Sequence, residues 1–220
     1  FDLYEEASLP YEWYPTMLKC ASSHSIDLFA SVFDIESVDF AISLNFPLIK
    51  ISSFELIHTP MLEYINKKNL TSIISTGMAS KEEIARCVSI FGKDKNKICL
   101  LKCTSDYPAS LESTHIGQMC SLRDEFNVVV GLSDHSLSNL PSIIATTLDA
   151  VIIEKHFILD KSINSPDSFF SLDEKEFTQL VIDIRTTHNM LKIKDVNLIR
   201  QSVESHSLWE RPSIYFSKHL

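Results

Sequence analysis

Six short apolar runs recur along the chain, each ending in polar residues: Leu28 to Val32, Pro47 to Ile51, Leu70 to Ile74, Ile98 to Leu101, Val128 to Leu132 and Ala150 to Ile153. Runs of that length that are apolar almost throughout, rather than alternating, mark strands covered on both faces. Helical periodicity fills the intervals, and Ser138 to Asp149 has the length of one crossover helix. Capping-box spacing at Ser80…Glu83 and Asp173…Glu176 predicts helix starts, and Thr59-Pro60 reads as an N-cap with its first turn. Strands alternating with helices predict an α/β fold, a (β/α) barrel or a doubly wound sheet. Polar residues after every strand favour the TIM-type (β/α) barrel. A full barrel has eight strands, so the six runs predict an incomplete one, with about six of eight β/α units.

The strand ends carry the candidate chemistry. One run delivers Ser133-Asp134-His135 and the next delivers Glu154-Lys155-His156. Strand, helix, strand puts both histidines on the C-terminal edge of a parallel sheet, where two imidazoles can meet at a divalent metal. Two unrelated strand-end histidines is the competing reading of these segments alone. Lys50 lies within a run that is otherwise buried, where an unpaired ammonium is costly. Its run leads into Ser52-Ser53-Phe54-Glu55, with Phe54 either a core residue or an aromatic face beside a ligand. The next two runs end in Ser75-Thr76-Gly77-Met78 and Lys102-Cys103-Thr104-Ser105-Asp106-Tyr107-Pro108.

Composition narrows the class. A chain of 220 residues, 45% hydrophobic, buries a sizeable core and need not be more than one domain. A net charge of −9 argues against nucleic acid as the partner. No apolar stretch is long enough to span a membrane and the opening residues show no secretory pattern, so the expectation is a cytoplasmic protein. Five cysteines without metal-binding spacing read as reduced thiols. His24, His58, His115, His188, His206 and His219 read as surface residues.

Taken in register, Lys50-Ile51-Ser52-Ser53-Phe54-Glu55, Ser75-Thr76-Gly77-Met78-Ala79, Leu101 to Pro108, Gly131 to Ser136 and Glu154-Lys155-His156-Phe157 resemble successive strand ends of the sialic acid synthases. Ser53-Phe54-Glu55, Pro166 to Leu172 and Tyr11-Glu12-Trp13 look most like the branch that makes pseudaminic acid, with N-acetylneuraminate or legionaminate synthesis as the alternative. The resemblance implies condensation of phosphoenolpyruvate with an open-chain N-acetylated aminosugar, here a 2,4-diacetamido-2,4,6-trideoxy-hexose. The products would be a nine-carbon nonulosonic acid and phosphate. It implies His135 and His156 as ligands of Mn²⁺ or Mg²⁺, and Lys50 as a cationic anchor for phosphoenolpyruvate. Ser53, Ser75 and Ser133 match hydroxyl donors to its phosphate or carboxylate; Thr76 and Lys102 are further candidates. Glu55, Tyr107 and Asp167 match contacts to the sugar, and Glu154 and Lys155 are placed to orient His156.

By the same resemblance, residues 1–195 are expected to form the partial synthase barrel, with Phe1-Asp2-Leu3-Tyr4 lying beyond the first two strands. Residues 196–220 are expected to lead, through Arg211-Pro212-Ser213-Ile214-Tyr215-Phe216, towards an antifreeze-like domain. In that family the domain reaches a neighbouring subunit, which implies a homodimer at full length. Only four glycines occur, against a usual ~7%. Asp149 and Ser165 stand where relatives carry turn glycines, so a positive φ and strain are expected at both. A non-catalytic remnant, inactive as this chain alone, is therefore a third expectation.

Overall fold

The computed structural model describes residues 9–163 and 165–192; the expectations for Phe1–Tyr4, His206, His219 and the 196–220 segment lie outside them. Six strands form one sheet in chain order: β1 (Ser31–Val32), β2 (Ile49–Ile51), β3 (Ser72–Ser75), β4 (Ile98–Cys103), β5 (Val129–Asp134) and β6 (Ile153–Lys155). Every neighbouring pair is parallel. The helices are α1 (Tyr14–Ser23), α2 (Ile35–Ser43), α3 (Thr59–Lys67), α4 (Lys81–Phe91), α5 (Gln118–Phe126), α6 (Leu140–Thr147) and α7 (Glu174–Leu191). The sheet curls into half of a (β/α) barrel, as the strand count predicts.

Side-chain alternation gives the sheet two different faces. Ile49, Ile51, Ile74, Ile98, Leu100, Val130 and Leu132 pack outwards against helix residues such as Val38, Met61, Leu62, Ile65, Ile84 and Met119. A smaller cluster of Ile73, Cys99 and Leu101, with Leu48 and Ile152, fills the concave side. Both faces are apolar along most of each strand, which is why the runs do not alternate in sequence. At the C-terminal ends the concave positions turn polar, and Lys50, Ser75 and Ser133 occupy them. Gly131 is also concave-facing, and a Cβ there would collide with the Ile152 carbonyl oxygen and Leu101.

The helix starts at Ser80 and Asp173 are capping boxes, each side chain accepting from the backbone N–H three residues on. A third box, Asp34–Ser37, escapes the sequence pattern because serine replaces the usual Glu or Gln at its far end. At Thr59-Pro60 the cap lies one residue earlier, because the His58 ring nitrogen accepts from the Met61 N–H. The crossover helix is shorter than Ser138–Asp149, spanning Leu140–Thr147. Asp149 has a φ of +67°, bearing out the left-handed turn expected there. The turn expected at Ser165 includes residue 164, which lies outside the described residues. Tyr11, next to the exposed Trp13, packs its ring 4.2 Å from that of Phe40, tying the N-terminal turn to α2. His24, His58, His115 and His188 are exposed, as expected. All five cysteines are free. Among the described residues no helix is long and apolar enough to cross a membrane.

Candidate active site

The C-terminal strand ends enclose a cavity of about 360 Å³, lined by Lys50, Ser53, Phe54, Ser75, Cys103, Ser105, Tyr107, Ser133, His135, Glu154 and His156 among others. Larger concavities of about 780 and 1100 Å³ lie at the opposite ends of the strands and along α7. Charged side chains there, such as Lys95 and Arg123, are spent on backbone carbonyls.

Lys50 Nζ donates to Ser75 Oγ at 2.8 Å and to the Ile51 carbonyl at 3.0 Å, and lies 3.7 Å from Glu154 Oε2. Burial pushes its pKa below the ordinary 10.5, against the pull of Glu154. Glu154 Oε1 accepts from Ser133 Oγ at 2.7 Å, so one carboxylate joins the lysine of β2 to the serine of β5. Ser53 Oγ accepts the Gly77 N–H at 3.0 Å, which draws the loop after β3 against the loop after β2.

The two imidazoles meet. Their centroids are 5.3 Å apart at an interplanar angle of 60°, with Tyr107 4.3 Å from His135 and Phe170 4.7 Å from His156. His135 Nδ1 lies 2.8 Å from the Thr104 carbonyl oxygen, which can only accept. That bond places the proton on Nδ1 and leaves Nε2 as the lone-pair nitrogen. His156 Nδ1 is 3.4 Å from Asp167 Oδ2, an ion-pair distance without a hydrogen bond. Two converging imidazoles, one oriented by a carbonyl oxygen and the other beside a carboxylate, fit a divalent ion. Among the described residues no group of three or more His, Cys, Asp or Glu side chains is arranged to hold one, so substrate or water would complete the shell.

Electrostatics divide the pair. Burial opposes charge on His135, but hydrogen bonds to Cys103 and to the Thr104 carbonyl outweigh it and raise its pKa. Burial pushes His156 down, with Asp167 pulling the other way. Cys103 is held down to about 7: burial raises it, while hydrogen bonds with His135 and Ser53 lower it further.

Lys50, Ser53, Ser75, Tyr107, Ser133, His135 and His156 therefore share one cavity. Asp167 joins its rim through His156. Glu55 stands just outside, hydrogen-bonded to the Ser52 hydroxyl. Phe54 is 71% exposed, which removes the core-packing reading. Thr76 and Lys102 do not reach the cavity: Thr76 Oγ1 donates to the Leu101 carbonyl, and Lys102 Nζ to Cys103 O and Thr104 Oγ1. Lys102 follows Leu100 by two residues and so shares its outward face. Glu154 enters the cavity directly instead of merely flanking His156, whereas Lys155 turns to the opposite face and pairs with Asp134. Cys103 and Ser105 are cavity residues that the motifs contained but did not single out. Alternation from Leu101 was the signal that could have found Cys103.

Comparison with known proteins agrees with this geometry. The pattern of the NeuB family matches residues 1–195. The pseudaminic acid synthase of Campylobacter jejuni is 39% identical over 221 residues, covering 100% of this chain and 64% of the relative. The N,N'-diacetyllegionaminic acid synthase of Legionella pneumophila is 36% identical over 196 residues, covering 87% of this chain and 55% of the relative. The chain thus spans less than two thirds of the length of these curated relatives. The solved N-acetylneuraminic acid (sialic acid) synthetase of Leptospira borgpetersenii, in complex with citrate, superposes with a TM-score of 0.84 at 26% identity. That superposition covers 96% of this chain and 75% of the other. Parallel half-barrel, converging strand ends and sequence match lead to one assignment: the chain belongs to the NeuB family.

Proposed function

We propose that this chain supplies the phosphoenolpyruvate and metal sites of a synthase that condenses phosphoenolpyruvate with an open-chain N-acetylated aminosugar. The observation that carries the reading is the continuous set Ser75–Lys50–Glu154–Ser133 beside the His135–His156 pair in one cavity. An anion bearing phosphate and carboxylate needs a cation with surrounding donors, and Lys50 with Ser53, Ser75 and Ser133 offers that. Glu154 orients both Lys50 and Ser133. In the reaction, C3 of phosphoenolpyruvate bonds to the aldehyde carbon, water adds at C2, the C2–O bond to phosphorus breaks and inorganic phosphate leaves. His135 and His156 would hold Mn²⁺ or Mg²⁺, which supplies Lewis acidity for the aldehyde oxygen. Tyr107 and Asp167, with Glu55 near the rim, would contact the sugar by hydrogen bonds.

The acceptor we favour is a 2,4-diacetamido-2,4,6-trideoxy-hexose. Phe54 presents an exposed ring at the cavity edge, suited to a deoxy methyl group. The identity to the Campylobacter pseudaminic acid synthase supports the same choice. Legionaminate synthesis is the second reading, on the identity to the Legionella enzyme. The synthase is expected to work as a cytoplasmic homodimer. The test is phosphate release from phosphoenolpyruvate with each candidate aminosugar in the presence of Mn²⁺ or Mg²⁺. Turnover confined to the trideoxy sugar of the pseudaminic series supports the proposal. Preference for N-acetylmannosamine or the legionaminate precursor would move the assignment, and no release with any of them would favour a non-catalytic remnant.

A further inference from the structure

Asp134 and Lys155 are register partners across β5 and β6, and each immediately precedes one of the two converging histidines. Lys155 Nζ lies 2.9 Å from Asp134 Oδ2, with both side chains 1% exposed. Asp134 also accepts the Ser136 N–H on Oδ1 and the Ser142 hydroxyl on Oδ2, both at 2.9 Å. Lys155 Nζ donates in turn to the carbonyls of Ser136 and Ser138. One ion pair therefore ties together the end of β5, the loop after it, the first turn of α6 and the end of β6. An ion pair buried this deeply recovers little more than its desolvation cost, so stability alone is a poor account of it. Its location is a better one. Alternation sends Asp134 and Lys155 to the helix side of the sheet and the next residue of each strand end to the cavity.

We propose that the Asp134–Lys155 pair is a positioning device that sets the separation of the His135 and His156 rings, and through it their affinity for one divalent ion. The proposal rests on reading those histidines as ligands of a shared metal. The pair touches neither ring. It acts through the backbone, by fixing how far β5 and β6 can slide or splay where the two imidazoles leave the sheet.

The experiment compares the full chain with the double variant Asp134→Leu/Lys155→Met, which replaces the ions by apolar groups of similar volume. Three quantities are read: Mn²⁺ affinity by electron paramagnetic resonance, thermal melting, and ring separation in a crystal structure of each protein. The expected result is a 10- to 100-fold weaker Mn²⁺ affinity, the range usual for groups that orient metal ligands. Melting should shift by no more than about 5 °C, and the rings should leave their 5.3 Å separation by ~1 Å or more. Unchanged ring separation with Mn²⁺ affinity within twofold would overturn the proposal. If the parent chain binds no Mn²⁺, the metal reading fails, and the ring separation still judges the positioning role. If the double variant does not fold, Lys155→Arg decides: at least threefold weaker Mn²⁺ binding at unchanged melting supports the role, and unchanged binding rejects it.

Discussion

Lys50 carries an ammonium into a strand of isoleucines, where three acceptors hold it and burial works against its charge. Two predictions follow from that balance. On the proposed function, Lys50→Met should raise the KM for phosphoenolpyruvate by about 100-fold or more, since it would remove a charge-assisted contact to the anion. The KM for the sugar should change by less than about threefold, and equal losses for both substrates would make Lys50 a structural residue. The pH dependence has a definite sign. A lysine pKa held below 10.5 means that the proton leaves earlier on the alkaline side. The KM for phosphoenolpyruvate should therefore climb at a pH below that of an ordinary lysine, and a rise only above 10.5 would contradict the burial argument. Lys50, Ser75, Ser133, His135 and His156 were all legible as strand-end residues. Lys102 and Thr76, further candidates by the resemblance, lie on the other face; alternation separates them from Cys103 and Ser75 only once the facing of one residue is known, and with both faces apolar the runs do not show it.

At the scale of elements, loops and caps decide how well those residues are held. The Gly77 N–H reaches Ser53, and a Cβ on Gly77 would lie 2.8 Å from Ser53 Oγ and 3.1 Å from Cys103 Sγ, besides clashing with Ser105. Gly77→Ala should displace Ser53 and cost about 1–3 kcal/mol of stability, with turnover falling further than stability alone explains. Denaturant melts alongside phosphate-release rates would check this, and undiminished turnover would show that Ser53 is free to move. Asp34 caps α2 through the Ser37 N–H, so Asp34→Ala should cost about 1 kcal/mol near neutral pH. The Asp34 pKa lies below 3.8, chiefly through that backbone hydrogen bond. A depressed carboxyl stabilises the fold above the unfolded value and loses the effect as pH falls through the folded one. The difference between parent and variant should therefore narrow as the pH falls below 3.8 and through the folded value, and a gap that persists unchanged in acid would assign the loss to packing instead. The boxes at Ser80 and Asp173 were readable from spacing; the His58 cap was not, because a histidine nitrogen replaces the expected hydroxyl.

For the whole molecule, protection should follow position in the sheet. All six residues of β4 are buried, whereas β6 is only half-buried and β1 is two residues long. Amide hydrogen exchange should accordingly be slowest in β3 to β5 and fastest in β1 and β6, and uniform protection across the sheet would argue for an additional covering of its edges. The order of strands, their parallel sense and the edge that carries the chemistry were determined by the sequence alone. Apolar runs alternating with helices admit few topologies, and a parallel sheet puts every strand's C-terminal end on one side. Which neighbours meet across that edge emerges only once the sheet is folded. Glu154 and Cys103 belong to the cavity, and Asp134 and Lys155 pair behind it, because register and twist bring together residues from separate strands. Neither quantity is written in the composition of a single run: register comes from the pairing of two backbones, and the facing of each side chain from the curl of the whole sheet.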